Sequence, residues 1–149
     1  MSFWPGDAER EVTTFGRLSR GALMARVRSK GNKTTEMRLA RLLSQAGLRG
    51  WRRHHNIPGR PDFVWHAVKV AVFADGCFWH GHCCGKNISP RTNTEAWINK
   101  INRNRARDRK TARVLRGRGW VVIRLWECQL LRNPTGCVDK IRRALRTRR

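Results

Sequence analysis

The stretch PGRPDFVWHAVKVAVFADGC, residues 58–77, decides the fold of this chain. Residues 63–65 form a short apolar run, and residues 68–74 carry valine or alanine at every second position, which is typical of a strand. The two residues between these runs are enough for a tight turn. The stretch therefore predicts an antiparallel hairpin that begins just after Asp62 and ends just before Asp75.

Helical and extended segments lie on both sides of this hairpin in the sequence. Leu39, Leu42, Leu43 and Ala46 recur at helical spacing between a threonine cap and Gly47. A short extended segment follows, and after the hairpin come a long helix, a strand and a last helix. This order predicts an α/β domain with a small mixed sheet. The predicted ranges are 51–54 for the extended segment, 94–118 for the long helix, 120–125 for the strand and 138–145 for the last helix.

The charge balance narrows the class of partner. The 149 residues include 33 Lys and Arg but only 10 Asp and Glu, which gives a net charge of +23. So large an excess in a small domain points to a polyanion such as nucleic acid and argues against an enzyme for small neutral substrates. A hydrophobic content of 40% is too high for a purely disordered basic arm.

The same survey gives expectations for localisation and domain organisation. No segment approaches the roughly 20 consecutive apolar residues of a membrane span, and residues 1–20 lack the apolar centre of a secretory signal. We therefore expect a cytoplasmic protein with no membrane partner, whose cysteines are thiols or metal ligands rather than disulfides. Residues 1–18 are expected to form a flexible arm, and residues 19–149 a single domain.

Two carboxylates flank the hairpin. Asp62 stands at its start and Asp75 at its end, so a tight hairpin brings them to the same edge of the sheet. Two carboxylates at one edge are suited to Mg²⁺, which prefers oxygen ligands. Asp is also common at turns, so each residue taken alone has a purely structural explanation. The pair, beside a histidine-rich run in a strongly basic chain, favours a magnesium site.

A run rich in cysteine and histidine follows directly, from Cys77 to Cys84. A tetrahedral zinc site takes four nitrogen or sulfur ligands, and short runs of this composition are typical of metal sites. Cys128, just after the predicted strand at 120–125, supplies a distant thiol. We therefore predict a structural zinc held by Cys77, His82, Cys84 and Cys128; a loop of buried thiols is the alternative.

A histidine and two adjacent aromatic residues lie within the same run. His80 follows the hairpin by five residues, so it is a candidate general base for hydrolysis of a phosphodiester; a zinc ligand or a surface imidazole is the alternative. Phe78 and Trp79 are difficult to bury together in a polar loop flanked by glycine, which makes them candidates for stacking on bases. Trp97 is a further candidate, although its spacing to nearby isoleucines also fits a core.

The long helix carries a dense run of positive charge. Between residues 100 and 118 it has nine Lys or Arg and a single acid, Asp108. Such a stripe binds phosphates, and Asn104 within it is placed to meet a base edge. A solvated face is the ordinary explanation of a charge run, but it leaves the scarcity of opposite charge unexplained.

Several motifs together resemble the very short patch repair endonucleases. They are Pro58-Gly59-Arg60-Pro61-Asp62-Phe63, the run from Asp75 to His82, residues 104–109, Gly119-Trp120 and Trp126-Glu127-Cys128. The resemblance extends over about residues 19–130. It implies a restriction-endonuclease-like core, an α/β fold in which helices flank a mixed sheet.

The resemblance also implies an activity and a partner. Members of this family cut one strand of double-stranded DNA just 5′ of the mismatched T in a T·G pair, which arises when 5-methylcytosine deaminates. A single asymmetric lesion suggests a monomer, and the setting implied is the bacterial cytoplasm at the nucleoid, with contact to mismatch-repair proteins. The alternatives are a restriction-type or structure-directed Mg²⁺-dependent endonuclease on the same core, and a non-catalytic zinc-bearing DNA-binding module.

By the same resemblance, individual residues acquire roles. Asp62 holds Mg²⁺, His80 is the catalytic base, and Glu36 matches a helix carboxylate near that site, while the four predicted zinc ligands match those of the family. The lysine of the common nuclease pattern PD…(D/E)-x-K is missing, because Cys77 stands two residues after Asp75. The implied DNA contacts are Phe78, Trp79 and Trp97, which enter the duplex, Lys100 and Asn104, which read the mismatch, and Met24 and Val27, which approach the other groove.

Overall fold

The computed structural model describes residues 35–77 and 93–149, which contain four helices and four strands. The predicted arm at 1–18, together with residues 19–34 and 78–92, lies outside the described residues. In chain order the elements are α1 (Glu36–Gln45), β1 (Arg52–Arg53), β2 (Phe63–Trp65), β3 (Val70–Asp75), α2 (Thr94–Gly117), β4 (Val121–Trp126), α3 (Glu127–Arg132) and α4 (Pro134–Thr147).

The four strands form one mixed sheet in the order β1-β2-β3-β4. The pairs β1–β2 and β2–β3 are antiparallel, whereas β3 and β4 run parallel, with Asp75 opposite Trp126. A parallel pair needs a long crossover connection, and α2 lies within it. This mixed sheet with flanking helices confirms the predicted α/β class.

The central hairpin forms as predicted, but with different limits and burial. β3 begins at Val70 rather than Val68, because residues 66–69 form a four-residue turn. Val72 packs with residues of α1 and α4 on one face of the sheet, while Phe73 packs with a residue of α2 on the other. The strand is therefore buried on both faces, whereas its alternating sequence predicts burial of only one.

The first helix confirms the predicted start and stop. Thr35 occupies the N-cap position, and Leu39 and Leu43 are fully buried. The helix ends in a Schellman motif, in which Gly47 has a φ of 71° and the Leu48 N–H donates to the Leu43 carbonyl at 3.0 Å. Glycine adopts this left-handed conformation at little steric cost, so Gly47 fixes the end of α1.

α2 is a long polar helix, and its 24 residues bury Ile101 and Leu115. Gly59, in the turn before β2, approaches α2 so closely that a Cβ atom there would overlap Cγ2 of Thr111. Its φ of 78° is also one that favours glycine, so this turn needs glycine to seat the helix against the hairpin. Within residues 35–77 and 93–149, no helix is long and apolar enough to cross a membrane.

The C-terminal part of the chain contains more helix than the sequence predicts. The last helix is predicted at 138–145, but α4 begins at Pro134 and is preceded by the short helix α3. Asn133 explains the earlier start, because its side-chain oxygen accepts a hydrogen bond from the Gly136 N–H at 3.0 Å and proline follows at the first helical position. The prediction missed this cap because it used only the apolar spacing further along.

Candidate active site

Asp62 is held at the open end of the hairpin by the neighbouring strand. It directly precedes β2, and its Oδ2 atom accepts a hydrogen bond of 2.7 Å from the backbone N–H of Ala74 in β3. The start of one strand therefore meets the end of the next, as the sequence predicts. This bond fixes the orientation of the Asp62 carboxylate.

The surroundings of Asp62 disfavour its negative charge. Burial is the main cause that raises the pKa of Asp62 from 3.8 to about 7, with smaller contributions from the carboxylates of Glu36 and Asp75. The Ala74 N–H and Arg124 act in the opposite direction. A cation bound among these carboxylates would favour the ionised form, so the site is electrostatically suited to a metal ion.

Glu36 begins α1 and is almost completely buried, with 2% of its surface exposed. A buried carboxylate needs partners, and the Oε1 atom of Glu36 accepts from the Arg53 guanidinium and contacts Nε2 of His54. From the sequence alone, only the family resemblance places Glu36 near Asp62. The structure places it there by packing α1 beside β1.

His54 completes a group of three side chains. The ligand atoms of Glu36, His54 and Asp62 all lie within 4.8 Å of one another. The pairing of Arg53 with Phe63 sets residue 54 opposite residue 62, and the His54 N–H donates to the Asp62 carbonyl at 3.4 Å. Two carboxylates and an imidazole are a donor set that binds a divalent ion.

Asp75, which the sequence predicts to share a magnesium site with Asp62, has a cationic partner in the structure. Its carboxylate pairs with the guanidinium of Arg124 on β4, and both side chains are largely buried. The Nη1 atom of Arg124 also lies 3.5 Å from Oδ2 of Asp108 in α2, and its Cζ atom lies 4.7 Å from the centre of the Phe73 ring. Among the described residues, Asp75 is thus part of a charge network that joins β3, β4 and α2, rather than a member of the three-residue group.

The two described members of the predicted zinc set lie together. Cys77 and Cys128 are both buried, and the Cys128 N–H donates to Sγ of Cys77 at 3.4 Å. The sheet explains this proximity, because Asp75 pairs with Trp126 and each cysteine follows its strand by two residues. The other two predicted zinc ligands, His82 and Cys84, lie outside the described residues.

Three of the predicted DNA-contacting residues share one side of α2. Trp97 and Asn104 are half-buried and Lys100 is exposed, at spacings of three and four residues. Asp108 continues this side by one more turn and contacts Arg124. The side of α2 that carries the predicted DNA contacts is therefore linked through Arg124 to the end of β3.

Seven predicted site residues cannot be placed against this geometry, because they lie outside the described residues. Their predicted roles as base, base-stacking, groove-contacting and zinc-binding residues stay predictions. They are Met24, Val27, Phe78, Trp79, His80, His82 and Cys84.

Comparison with known proteins adds an independent finding. Residues 13–86 match the family model described as DNA mismatch endonuclease Vsr. The chain is also 41% identical over 120 residues, which is 80% of each chain, to the type II nicking enzyme V.NmeDIP of Neisseria meningitidis serogroup C. The chain belongs to the Vsr family. The matched segment includes the whole Glu36–His54–Asp62 group.

Two further Vsr-like relatives have similar coverage or identity. The type II nicking enzyme V.NmeAIP of Neisseria meningitidis serogroup A is 36% identical over 132 residues, 89% of this chain and 93% of the relative. The DNA mismatch endonuclease Vsr of Escherichia coli is 44% identical over 95 residues, 64% of this chain and 61% of the relative. Membership of the Vsr family makes this chain a DNA endonuclease and confirms the family that the motifs indicate.

Sequence reasoning missed three residues of this Vsr-family site. Arg53 and His54 reach Glu36 only because β1 pairs with β2 in one particular register. Arg124 meets Asp75 only because β3 and β4 are neighbours. The adjacent histidines at 54 and 55, at the end of the predicted extended segment, were the one local signal.

Proposed function

We propose that this chain nicks one strand of double-stranded DNA at T·G mismatches, hydrolysing the phosphodiester 5′ of the mismatched T. Such a reaction initiates repair of deaminated 5-methylcytosine. The observation that carries the proposal is the Glu36–His54–Asp62 group at the open end of the hairpin, in a chain of net charge +23 that belongs to the Vsr family. The family description and the name of the Escherichia coli relative support the mismatch as substrate.

The residues of this group fit a catalytic Mg²⁺. Asp62 and Glu36 offer the carboxylate oxygens that Mg²⁺ prefers, and the raised pKa of Asp62 reflects a site in which added positive charge is favourable. When bound, Mg²⁺ would stabilise the charge that develops on the phosphate. The Ala74 N–H holds Asp62 in place for this purpose, and the Arg53 guanidinium holds Glu36.

His80 is the proposed base of the reaction. It would remove a proton from the attacking water as the water oxygen bonds to phosphorus. The bond from phosphorus to the 3′ oxygen breaks and that oxygen takes a proton from solvent water, which leaves a 5′-phosphate and a 3′-hydroxyl. Asp75, the last residue of β3, contributes by pairing with Arg124 of β4, which fixes the end of β3.

DNA recognition is proposed to involve α2 and the aromatic residues. Phe78, Trp79 and Trp97 would enter the duplex beside the mismatch, while Lys100 and Asn104 read it. The shared side of Trp97, Lys100 and Asn104 on α2 supports this assignment. Met24 and Val27 would approach the other groove. We further propose that the chain acts as a monomer in the bacterial cytoplasm and contacts mismatch-repair proteins.

The proposal is tested with three labelled duplexes that differ at one base pair. The duplex with T·G should be nicked once, 5′ of the T, in the presence of Mg²⁺, whereas T·A and C·G duplexes should stay intact. Analysis on denaturing and native gels separates a nick from a double-strand break. Equal cutting of all three duplexes, or cleavage of both strands as expected of a restriction-type enzyme, would contradict the proposal.

We also propose that Cys77, His82, Cys84 and Cys128 hold a structural Zn²⁺. Support comes from the buried contact between Cys77 and Cys128, because two thiolates at one point are a typical part of such sites.

Replacing Cys128 by serine should lower the bound zinc from about one ion per chain to a small fraction, and lower the thermal midpoint. Metal content is measured by atomic emission after dialysis. Cys137→Ser is the matched control. Cys137 is also a buried cysteine, but it belongs to α4 and packs in the hydrophobic core. It should retain the zinc. Equal zinc content in Cys128→Ser and the unmodified protein would contradict the assignment.

A further inference from the structure

His54 is the member of the three-residue group that has no role predicted from the sequence. Its Nε2 atom contacts Glu36, and the ligand atoms of the group lie within 4.8 Å of one another. Ligands that each lie about 2.1 Å from one ion are at most about 4.2 Å apart. Small side-chain movements are therefore enough to place all three on one ion.

The chemistry of the three donors differs from that of an all-oxygen magnesium site. Mg²⁺ prefers oxygen ligands and gives up its water reluctantly. Imidazole nitrogen is instead a good ligand for the first-row transition-metal dications, whose affinity for mixed nitrogen and oxygen sites rises from Mn²⁺ onward. One imidazole in the group is thus expected to favour these ions over Mg²⁺.

Electrostatics does not supply a competing preference. Arg53 bonds the same Oε1 atom of Glu36 and offsets part of the negative charge of the group. This loss of attraction weakens the binding of every dication, because ions of equal charge experience the same field. The difference between two dications is therefore left to the nitrogen of His54.

We propose that Glu36, His54 and Asp62 form a mixed nitrogen–oxygen centre that binds first-row transition-metal dications, with Mn²⁺ as the probe, more tightly than Mg²⁺. The inference rests on the proposed function only in that a divalent ion binds beside Asp62. It requires neither T·G selectivity nor a role for His80.

The test compares His54→Gln with His55→Gln in the zinc-loaded full chain without DNA. The amide nitrogen of glutamine can donate to Glu36 but does not bind a metal ion, so the variant replaces the imidazole nitrogen with at most an amide oxygen. His55 is the adjacent imidazole and faces the ring of His66, at 5.2 Å between ring centres. Free Mn²⁺ is measured by electron paramagnetic resonance during titration, and Mg²⁺ affinity by displacement of the bound Mn²⁺. Thermal midpoints establish that both variants are folded.

We expect the unmodified protein to bind Mn²⁺ at least about tenfold more tightly than Mg²⁺, and His54→Gln to lose at least about tenfold in Mn²⁺ affinity. Mg²⁺ affinity should change less than about threefold, and His55→Gln should match the unmodified protein. An unchanged Mn²⁺ affinity in His54→Gln, or equal losses for both ions, overturns the inference. A protein that binds Mn²⁺ as expected but cuts all duplexes equally refutes the proposed function alone.

Discussion

Asp62→Asn is expected to reduce nicking of the T·G duplex at least about a thousandfold, with little change in DNA affinity. The carboxylate of Asp62 is the acidic group shared by the predicted magnesium site and the Glu36–His54–Asp62 group. Loss of this carboxylate removes a charged metal ligand, and with it several kcal/mol of stabilisation of the charge that develops on the phosphate. Each loss of about 1.4 kcal/mol lowers the rate about tenfold. Single-turnover cleavage measured beside a DNA-binding titration separates the two effects.

The asparagine variant is a fair test because it preserves the local structure. The asparagine side-chain oxygen still accepts a hydrogen bond from the Ala74 N–H. The substitution also removes a carboxyl group whose pKa is raised by burial, and so removes a negative charge that the site disfavours. In the absence of metal and above pH 7, the Asp62→Asn variant is therefore expected to have a thermal midpoint equal to or higher than that of the unmodified protein. Asp139→Asn, at a half-exposed acid of α4, is the control and should cleave normally. Residual nicking by Asp62→Asn above a few per cent would exclude a catalytic role for this carboxylate.

The parts of the fold that the sequence predicts are those with local causes. The limits of α1 follow from Thr35 and Gly47, and the hairpin follows from apolar runs on either side of a turn. Asp62 and Asp75 could be placed at one sheet edge for the same reason, since a hairpin brings together the outer ends of its strands. Each of these inferences uses residues close in sequence.

The parts of the fold and of the site that the sequence does not predict depend on which strands become neighbours. His54 meets Glu36 and Asp62 through the β1–β2 register, and a one-residue shift would turn it to the opposite face. Arg124 is 49 residues from Asp75 and reaches it through the parallel pair β3–β4. In the sequence Arg124 is one of 33 basic residues, so nothing local distinguishes it from those that face solvent.

Arg124 differs from those residues in that its charge is largely buried. Its side chain is 19% exposed, and its partners Asp75 and Asp108 are 9% and 20% exposed. A buried pair contributes little when compared with apolar residues of the same shape, but removal of one partner leaves a charge without compensation. Because the three side chains come from β4, β3 and α2, this network also ties α2 to the sheet.

Arg124→Met is accordingly expected to lower the free energy of unfolding by about 3–5 kcal/mol, measured by urea denaturation at pH 7. Arg142→Met is the matched control, since Arg142 pairs with Asp139 at a more exposed position on α4 and should contribute less than about 1 kcal/mol. Adding Asp75→Asn to Arg124→Met should restore the larger part of the loss, because the amide carries no charge to compensate. The remainder reflects Asp108. Equal, small losses in Arg124→Met and Arg142→Met would mean that the network is solvated and that α2 is held by Ile101 and Leu115 alone.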